Sequence, residues 1–206
     1  KDGNAVSVTY TLNDWFGAHR VAGATGIVVN NEMDDFTSKP GVPNLYGLVE
    51  GTANTIAPGK TPLSSMSPTI LTRDGKTAMV IGSPGGSRII TITLEAIINA
   101  VDHGMDIQEA IDAPRIHHQW QPDVVHLEPG ALSPDTRALL EARGYRFEDE
   151  GQWGIAEGIT VGAPRLAVES RAKTKALSVA APPLAGATLF GAHDPRGGAG
   201  SAVPVH

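Results

Sequence analysis

Residues 5–13, AVSVTYTLN, alternate strictly: Val6, Val8, Tyr10 and Leu12 fall on one side, Ser7, Thr9, Thr11 and Asn13 on the other. A period of two is the pattern of a strand half buried against a core. The run is entered through Asp2-Gly3, and Asp-Gly beside such a run marks a two-residue hairpin turn, because both central residues take positive φ. A second Asp-Gly, Asp74-Gly75, separates the apolar runs 69–72 and 77–81. The first hairpin requires a partner strand upstream of Lys1, of about six to ten residues. The start of that strand would lie opposite Thr11 to Asn13 and meet their polar side chains.

Further along, 14–24 reads as a loop, 26–30 as a short buried strand, and 37–60 as a long surface loop with little periodicity. Loops of that length are usually functional or disordered. Directly after the second hairpin comes Gly82-Ser83-Pro84-Gly85-Gly86-Ser87, then a helix to about His103, stopped by Gly104. In that helix Ile90, Leu94, Ile97, Ile98 and Val101 make one face and Ile89, Thr93, Ala96 and Ala100 an apolar flank. Only Glu95, Asn99 and Asp102 form a polar strip, so the helix is expected between layers. A short helix over 106–113 ends at Pro114, 124–128 is a strand, and Ser133-Pro134 opens a helix to about Gly144. Residues 145–148 and 157–161 read as strands, and 188–192 as a returning edge strand. Hairpins followed by buried helices, with no repeating βαβ unit, predict a layered α+β fold with an antiparallel sheet. Three segments are expected: residues 1–165 as part of one domain, 166–187 as an insertion or mobile loop, and 188–206 as a closing strand and tail.

The chain has 206 residues, is 41% hydrophobic and carries a net charge of −6 with scattered basic residues, so it lacks the basic footprint of a nucleic-acid or anionic-membrane binder. With no cysteine, disulfide and thiolate chemistry are excluded. No apolar run approaches the roughly 20 residues that cross a bilayer.

Four constellations could carry chemistry, and each has a plainer reading. Thr11 and Asn13 are exposed strand residues, or they attend a nucleophile at the start of the upstream strand. A terminal threonine could supply that nucleophile, with its own α-amine as base. The Ser83–Ser87 stretch is a strand-to-helix turn, or a cradle whose N–H groups hold an oxyanion. It is neither a P-loop nor GxGxxG. Asn30 to Asp35 with Ser64-Ser65 are solvated acids and capping serines, or together they read an amino-acid head group, carboxylates on its ammonium and hydroxyls on its carboxylate. His117-His118 invites a metal, but adjacent histidines on a strand face opposite ways and no partner stands at ligand spacing.

These residues, with Lys39 to Asn44, PLSSMSPT at 62–69, GSPGGSR at 82–88, Ala113-Pro114-Arg115 with His117 to Trp120, and Asp194-Pro195-Arg196, resemble the small subunit of the γ-glutamyltranspeptidase family of N-terminal-nucleophile hydrolases. The resemblance implies a four-layer αββα sandwich, this chain supplying about half and a large subunit from the same precursor the rest, as a heterodimer. It implies self-cleavage before a threonine, placed upstream of Lys1, that attacks the γ-glutamyl carbonyl. Thr11 would hydrogen-bond that nucleophile, and the Gly85 and Gly86 amides would form the oxyanion hole. Asn13, Glu32 and Asp35 would hold the α-amino end, Ser64 and Ser65 the α-carboxylate, and Tyr46 would sit on a lid loop. No cofactor, metal, nucleic acid or membrane is implied, and the setting would be periplasmic or secreted. The substrates would be glutathione and other γ-glutamyl compounds. The rivals are a cephalosporin acylase taking glutaryl side chains, against which Asp35 argues because its carboxylate would then be buried unpaired, and a non-catalytic amino-acid-binding homologue.

Overall fold

The computed structural model describes residues 4–166 and 188–198. The Asp2-Gly3 turn, the bulk of the expected insertion (167–187) and the tail from 199 lie outside the described residues.

Asp74 and Gly75 have φ of 51° and 74°, the paired positive values a two-residue hairpin requires, and they join β1 (Thr69–Arg73) to β2 (Lys76–Gly82). Strand β2 pairs antiparallel on its other side with β6 (Glu157–Val161), and β6 pairs with β7 (Leu189–His193), which closes the sheet in the order β1-β2-β6-β7. One face of this sheet is covered by α1 (Ile89–Val101) and α2 (Ile107–Asp112). Asp106 opens α2 with a capping box: its side chain accepts from Glu109 N while the Glu109 side chain accepts from Asp106 N. The shared core contains Met79, Ile81, Ile92, Ala96, Ile111 and Ala192. Gly158 on β6 lets α2 come close, since a Cβ there would stand 2.8 Å from Ile107 Cδ1. A second sheet joins β3 (Ile116–His117), β4 (Val125–Leu127) and β5 (Phe147–Asp149), the last reached through α3 (Pro134–Glu141), which Ser133 caps. The fold is α+β, as expected.

The helix after the glycines packs through the other face from the one the pattern favoured. Ile89, Ile92, Thr93, Ala96 and Ala100 are buried, whereas Ile90 and Leu94 are 52% and 50% exposed. The small residues at 96 and 100 let the helix axis approach the sheet, so the flank faces inward and the bulkier side chains line the outer side. Residues 5–13 form no strand among the described residues, and Asn13 turns the chain at φ 75°. Their polar side turns inward, with Ser7 Oγ donating to Ile81 O at 2.9 Å, and Val6, Val8 and Tyr10 are 75%, 71% and 87% exposed. The expected strand at 26–30 is one arm of a small hairpin whose other arm is 18–22, held by Ala22 N to Ile27 O and Val29 N to Arg20 O. Ile27 in it is 65% exposed, because a two-stranded ribbon off the main sheet has nothing to bury it.

The chain's two ends of sheet and helix are locked by buried charge. Arg115, Glu128 and Asp194 are 3%, 2% and 0% exposed. Arg115 Nη2 meets Asp194 Oδ2 at 2.5 Å, Arg196 Nη2 meets Glu128 Oε2 at 2.5 Å, and Arg196 Nη1 meets Asp194 Oδ1 at 3.1 Å. Ala156 N donates to Asp194 and Trp153 N to Glu128, so both carboxylates have their remaining lone pairs occupied. Burial works against the Asp194 charge, but the Ala156 N–H and Arg115 outweigh it and hold the carboxyl below its ordinary range. This clamp ties the end of β7 to the start of β3. Among the described residues no helix is long and apolar enough to cross a membrane.

Candidate active site

The turn after β2 is built for glycine. Gly85 has φ 148° and Gly86 φ 58°, conformations that side chains rarely adopt. A Cβ on Gly85 would press on Ile92 Cδ1 at 2.8 Å, and one on Gly86 would enter the Tyr46 ring at 2.5 Å. Ser83, 3% exposed, braces the turn from behind by donating to Pro84 O at 2.6 Å and accepting from Ile155 N at 3.3 Å. Because the turn opens a helical stretch, the N–H groups at its start have no partner within it, and they are available to an anion.

Three of the sequence-derived residues meet in front of this turn. Tyr46 lays its ring against Gly86 and donates its hydroxyl to Asn13 O. Asn13 sits at φ 75°, and its N–H donates to Thr11 Oγ1 at 2.8 Å, which leaves the Thr11 hydroxyl proton free for another acceptor. Asn13 Nδ2 donates to Asn31 O at 3.2 Å, which joins it to the short helical turn Glu32–Asp35. Burial first, and the charges of Glu32, Asp34 and Glu50 after it, raise the Asp35 pKa to about 6. Burial, and then the same acidic surroundings, also raise that of Tyr46. Among the described residues no ion pair involves Glu32 or Asp35. The group is a cluster of acids with no ion-paired cation among the described residues, and Lys39 lines the neighbouring cavity with Asp34 and Glu50.

Among the described residues Ser64 and Ser65 share no hydrogen bond with Thr11, Asn13, Glu32, Asp35 or Tyr46. Ser64 is exposed, its Oγ accepting from Met66 N at 3.2 Å. They are tied to the acidic turn through Asn54, whose Nδ2 donates to Asp35 O at 2.7 Å and whose Oδ1 accepts from Leu63 N at 3.1 Å. Asn54 escaped the sequence reading, and Asn44, read there only as part of the Lys39 to Asn44 motif, accepts with its Oδ1 from Tyr46 N and Leu48 N at 3.0 Å and so shapes the tip of the 37–60 loop. Asparagine inside a Gly- and Pro-rich loop is the sequence signal for such self-bonded turns.

The histidines do not form a metal pair. His117 is buried with Nδ1 on Thr91, and His118 faces the other way onto Asp123. His126, Glu148 and Glu150 do come together, but Glu150 is taken by Arg88 at 2.7 Å, and that guanidinium opposes a second cation.

A family profile described as gamma-glutamyltranspeptidase matches residues 1–179. The chain is 54% identical over 203 residues to a glutathione hydrolase proenzyme of Pseudomonas sp. (strain A14), covering 98% of this chain and 33% of that protein. It is 58% identical over 162 residues to the glutathione hydrolase proenzyme of Escherichia coli (strain K12), covering 79% of this chain and 28% of that one. The chain thus spans about a third or less of the length of these relatives. A crystal structure of a Helicobacter pylori gamma-glutamyltranspeptidase mutant superposes with a TM-score of 0.80 at 45% identity, covering 95% of each chain.

Proposed function

The chain belongs to the gamma-glutamyltranspeptidase family, and from that premise we propose that it is the small-subunit part of an enzyme that hydrolyses glutathione and other γ-glutamyl compounds or transfers their γ-glutamyl group. The observation that carries this reading is the acidic cluster of Glu32 and Asp35, which has no ion pair among the described residues and is linked through Asn31, Asn13 and Tyr46 to the glycine turn at Gly85-Gly86. A γ-glutamyl donor brings both missing partners. Its α-ammonium supplies the positive charge that lets Asp35 ionise, and its γ-carbonyl oxygen becomes the anion that the Gly85 and Gly86 amides accept.

The chemistry then runs through an acyl-enzyme. The hydroxyl of a threonine upstream of Lys1 attacks the γ-carbonyl carbon, and its proton passes to that threonine's own α-amine. Thr11 donates its free hydroxyl proton to the nucleophile, holding it in line. The tetrahedral oxyanion collapses, the C–N bond breaks, and the leaving amine takes the proton. Water or an acceptor amine repeats the sequence in reverse. Each oxyanion donor is worth about 3–4 kcal/mol in such sites. Asn13, Glu32 and Asp35 anchor the α-amino end, Ser64 and Ser65 the α-carboxylate, and Tyr46 covers the bound donor.

A large subunit from the same precursor would complete the αββα sandwich as a heterodimer, in a periplasmic or secreted setting. It would cover the exposed Val6, Val8 and Tyr10 side of the N-terminal stretch. The full-length protein, assayed with a γ-glutamyl anilide and a glutaryl anilide, with and without an acceptor dipeptide, decides the matter. The reading expects preference for the γ-glutamyl donor. Preference for the glutaryl donor would instead mark a cephalosporin acylase, and no turnover of either by correctly processed protein would mark a binding protein.

A further inference from the structure

Ser87, Thr91, His117 and Gln119 form a polar chain that none of the roles above uses. His117 is 3% exposed and Ser87 9%, so their polar atoms have to be bonded within the protein. Ser87 Oγ donates to Gln119 Oε1 at 2.9 Å, and His117 Nε2 meets the same oxygen at 3.0 Å. The carbonyls of Tyr46 and Gln121 can only accept, so the amide is fixed with Nε2 toward them, each at 3.4 Å, and with Oε1 toward Ser87 and His117 as their shared acceptor. The same Nε2 stands 3.3 Å from where a Gly47 Cβ would be, so the side chain also packs flat on the backbone of the Tyr46 loop. In this arrangement His117 carries its proton on Nε2, and the one hydroxyl proton of Thr91, whose Oγ1 lies 3.0 Å from Arg88 O and 2.9 Å from His117 Nδ1, is shared between those two acceptors. Burial, with Arg88 and His126 adding to it and the Gln119 bond opposing, depresses the His117 pKa and keeps the ring neutral at pH 7.

We infer that Gln119 is a positioning residue that latches the Tyr46 loop to the glycine turn, with His117 and Ser87 holding its oxygen. Ser87 follows Gly86 directly, and Tyr46 rests its ring on Gly86 while its hydroxyl holds Asn13. Gln119 therefore ties the cover to the oxyanion donors and, through Tyr46, to the α-amino anchor. Its consequence for catalysis rests on the function proposed above; the mechanical link does not.

Two variants of the full-length, self-processed protein test it. Gln119→Leu keeps the bulk and removes both ends of the latch, whereas Gln119→Glu keeps the acceptor for Ser87 and His117 and removes the donor to Tyr46. Hydrogen–deuterium exchange without substrate should show faster uptake across residues 40–48 in both. With a γ-glutamyl anilide, KM should rise about tenfold, as for loss of one well-placed hydrogen bond, with kcat within about twofold. In a Tyr46→Ala background, Gln119→Leu should add nothing, because residues that act through one another are not additive. Unchanged exchange across 40–48 in both variants, or a Gln119→Leu loss that persists in full beside Tyr46→Ala, would overturn the latch. A wild-type protein silent on the γ-glutamyl anilide would overturn the proposed function instead, and the exchange measurement would still decide the latch.

Discussion

Two clusters of charge in this chain obey opposite rules. Around Arg115, Glu128, Asp194 and Arg196 every carboxylate faces a guanidinium and every remaining lone pair meets an N–H. Around Glu32, Asp34, Asp35 and Glu50 four carboxylates crowd together without an ion pair among the described residues, and Asp35 is pushed to about 6 as a result. Burial alone does not separate them, since both desolvate their acids. What separates them is whether the compensating charge is built into the chain. A clamp that carries its own counter-charge holds structure, whereas a cluster that lacks it is, on the function proposed above, the place for a cation that arrives from outside.

The sharpest way to break the contrast is to spoil the clamp. Asp194→Ala leaves Arg115 buried without its carboxylate while Arg196 keeps Glu128, and should cost about 3–5 kcal/mol of stability, read as a fall in the denaturant midpoint. Asp35→Asn should do the reverse to stability while damaging function. It should cut kcat/KM for a γ-glutamyl anilide by about ten- to a hundredfold, the loss of a charge-assisted contact of ~1.5–3 kcal/mol, with little effect on a glutaryl anilide. A third measurement uses pH. Asp35 must be ionised to hold an ammonium, so kcat/KM for the amine-bearing donor should climb as pH rises through about 6, and that limb should vanish in Asp35→Asn. The smallest effect is on folding. Because the folded value of about 6 lies above the ordinary aspartate value of 3.8, the folded state holds the extra proton, and stability falls as pH rises between the two and stays reduced above 6. Asparagine does not titrate, so Asp35→Asn should be the more stable protein at pH 8. The gain should be about 1 kcal/mol or less after solvent screening of a partly exposed group, or ~2–4 °C in Tm.

The clamp and the pocket also differ in how far the amino-acid string disclosed them. Asp35 and Glu32 stand in one short acidic run, and Gly85-Gly86 in another short motif, so local chemistry was enough to single them out. Arg115 and Asp194 lie far apart in the chain, and nothing near either residue announces the other. The β1–β2 hairpin and the caps on α2 and α3 were legible because turns and caps are local. The orientation of α1 was not: two apolar faces were on offer, and which one packed was decided by how closely Ala96 and Ala100 let the helix approach the sheet. Residues 5–13 failed differently. Their alternation is real, but the inward side is the polar one, because β2 offers Ser7 a backbone carbonyl and no apolar surface faces Val6, Val8 or Tyr10. Gln119 stood in the His117 to Trp120 stretch that carried the resemblance, but its link was not legible there, since Ser87 and Tyr46 sit on two other segments.

The contact of Gly86 with the Tyr46 ring sets a limit on inheritance. With a ring carbon 2.5 Å from where a Cβ would stand, no larger residue can enter position 86 unless position 46 changes with it. A smaller residue at 46 would release Asn13 and the acidic turn in the same step. The two positions therefore behave as one heritable character. Descendants of this chain could reshape this contact only by routes that leave the glycine untouched, and if the loop covers the donor as proposed, variation in donor preference should accumulate on the rest of residues 37–60.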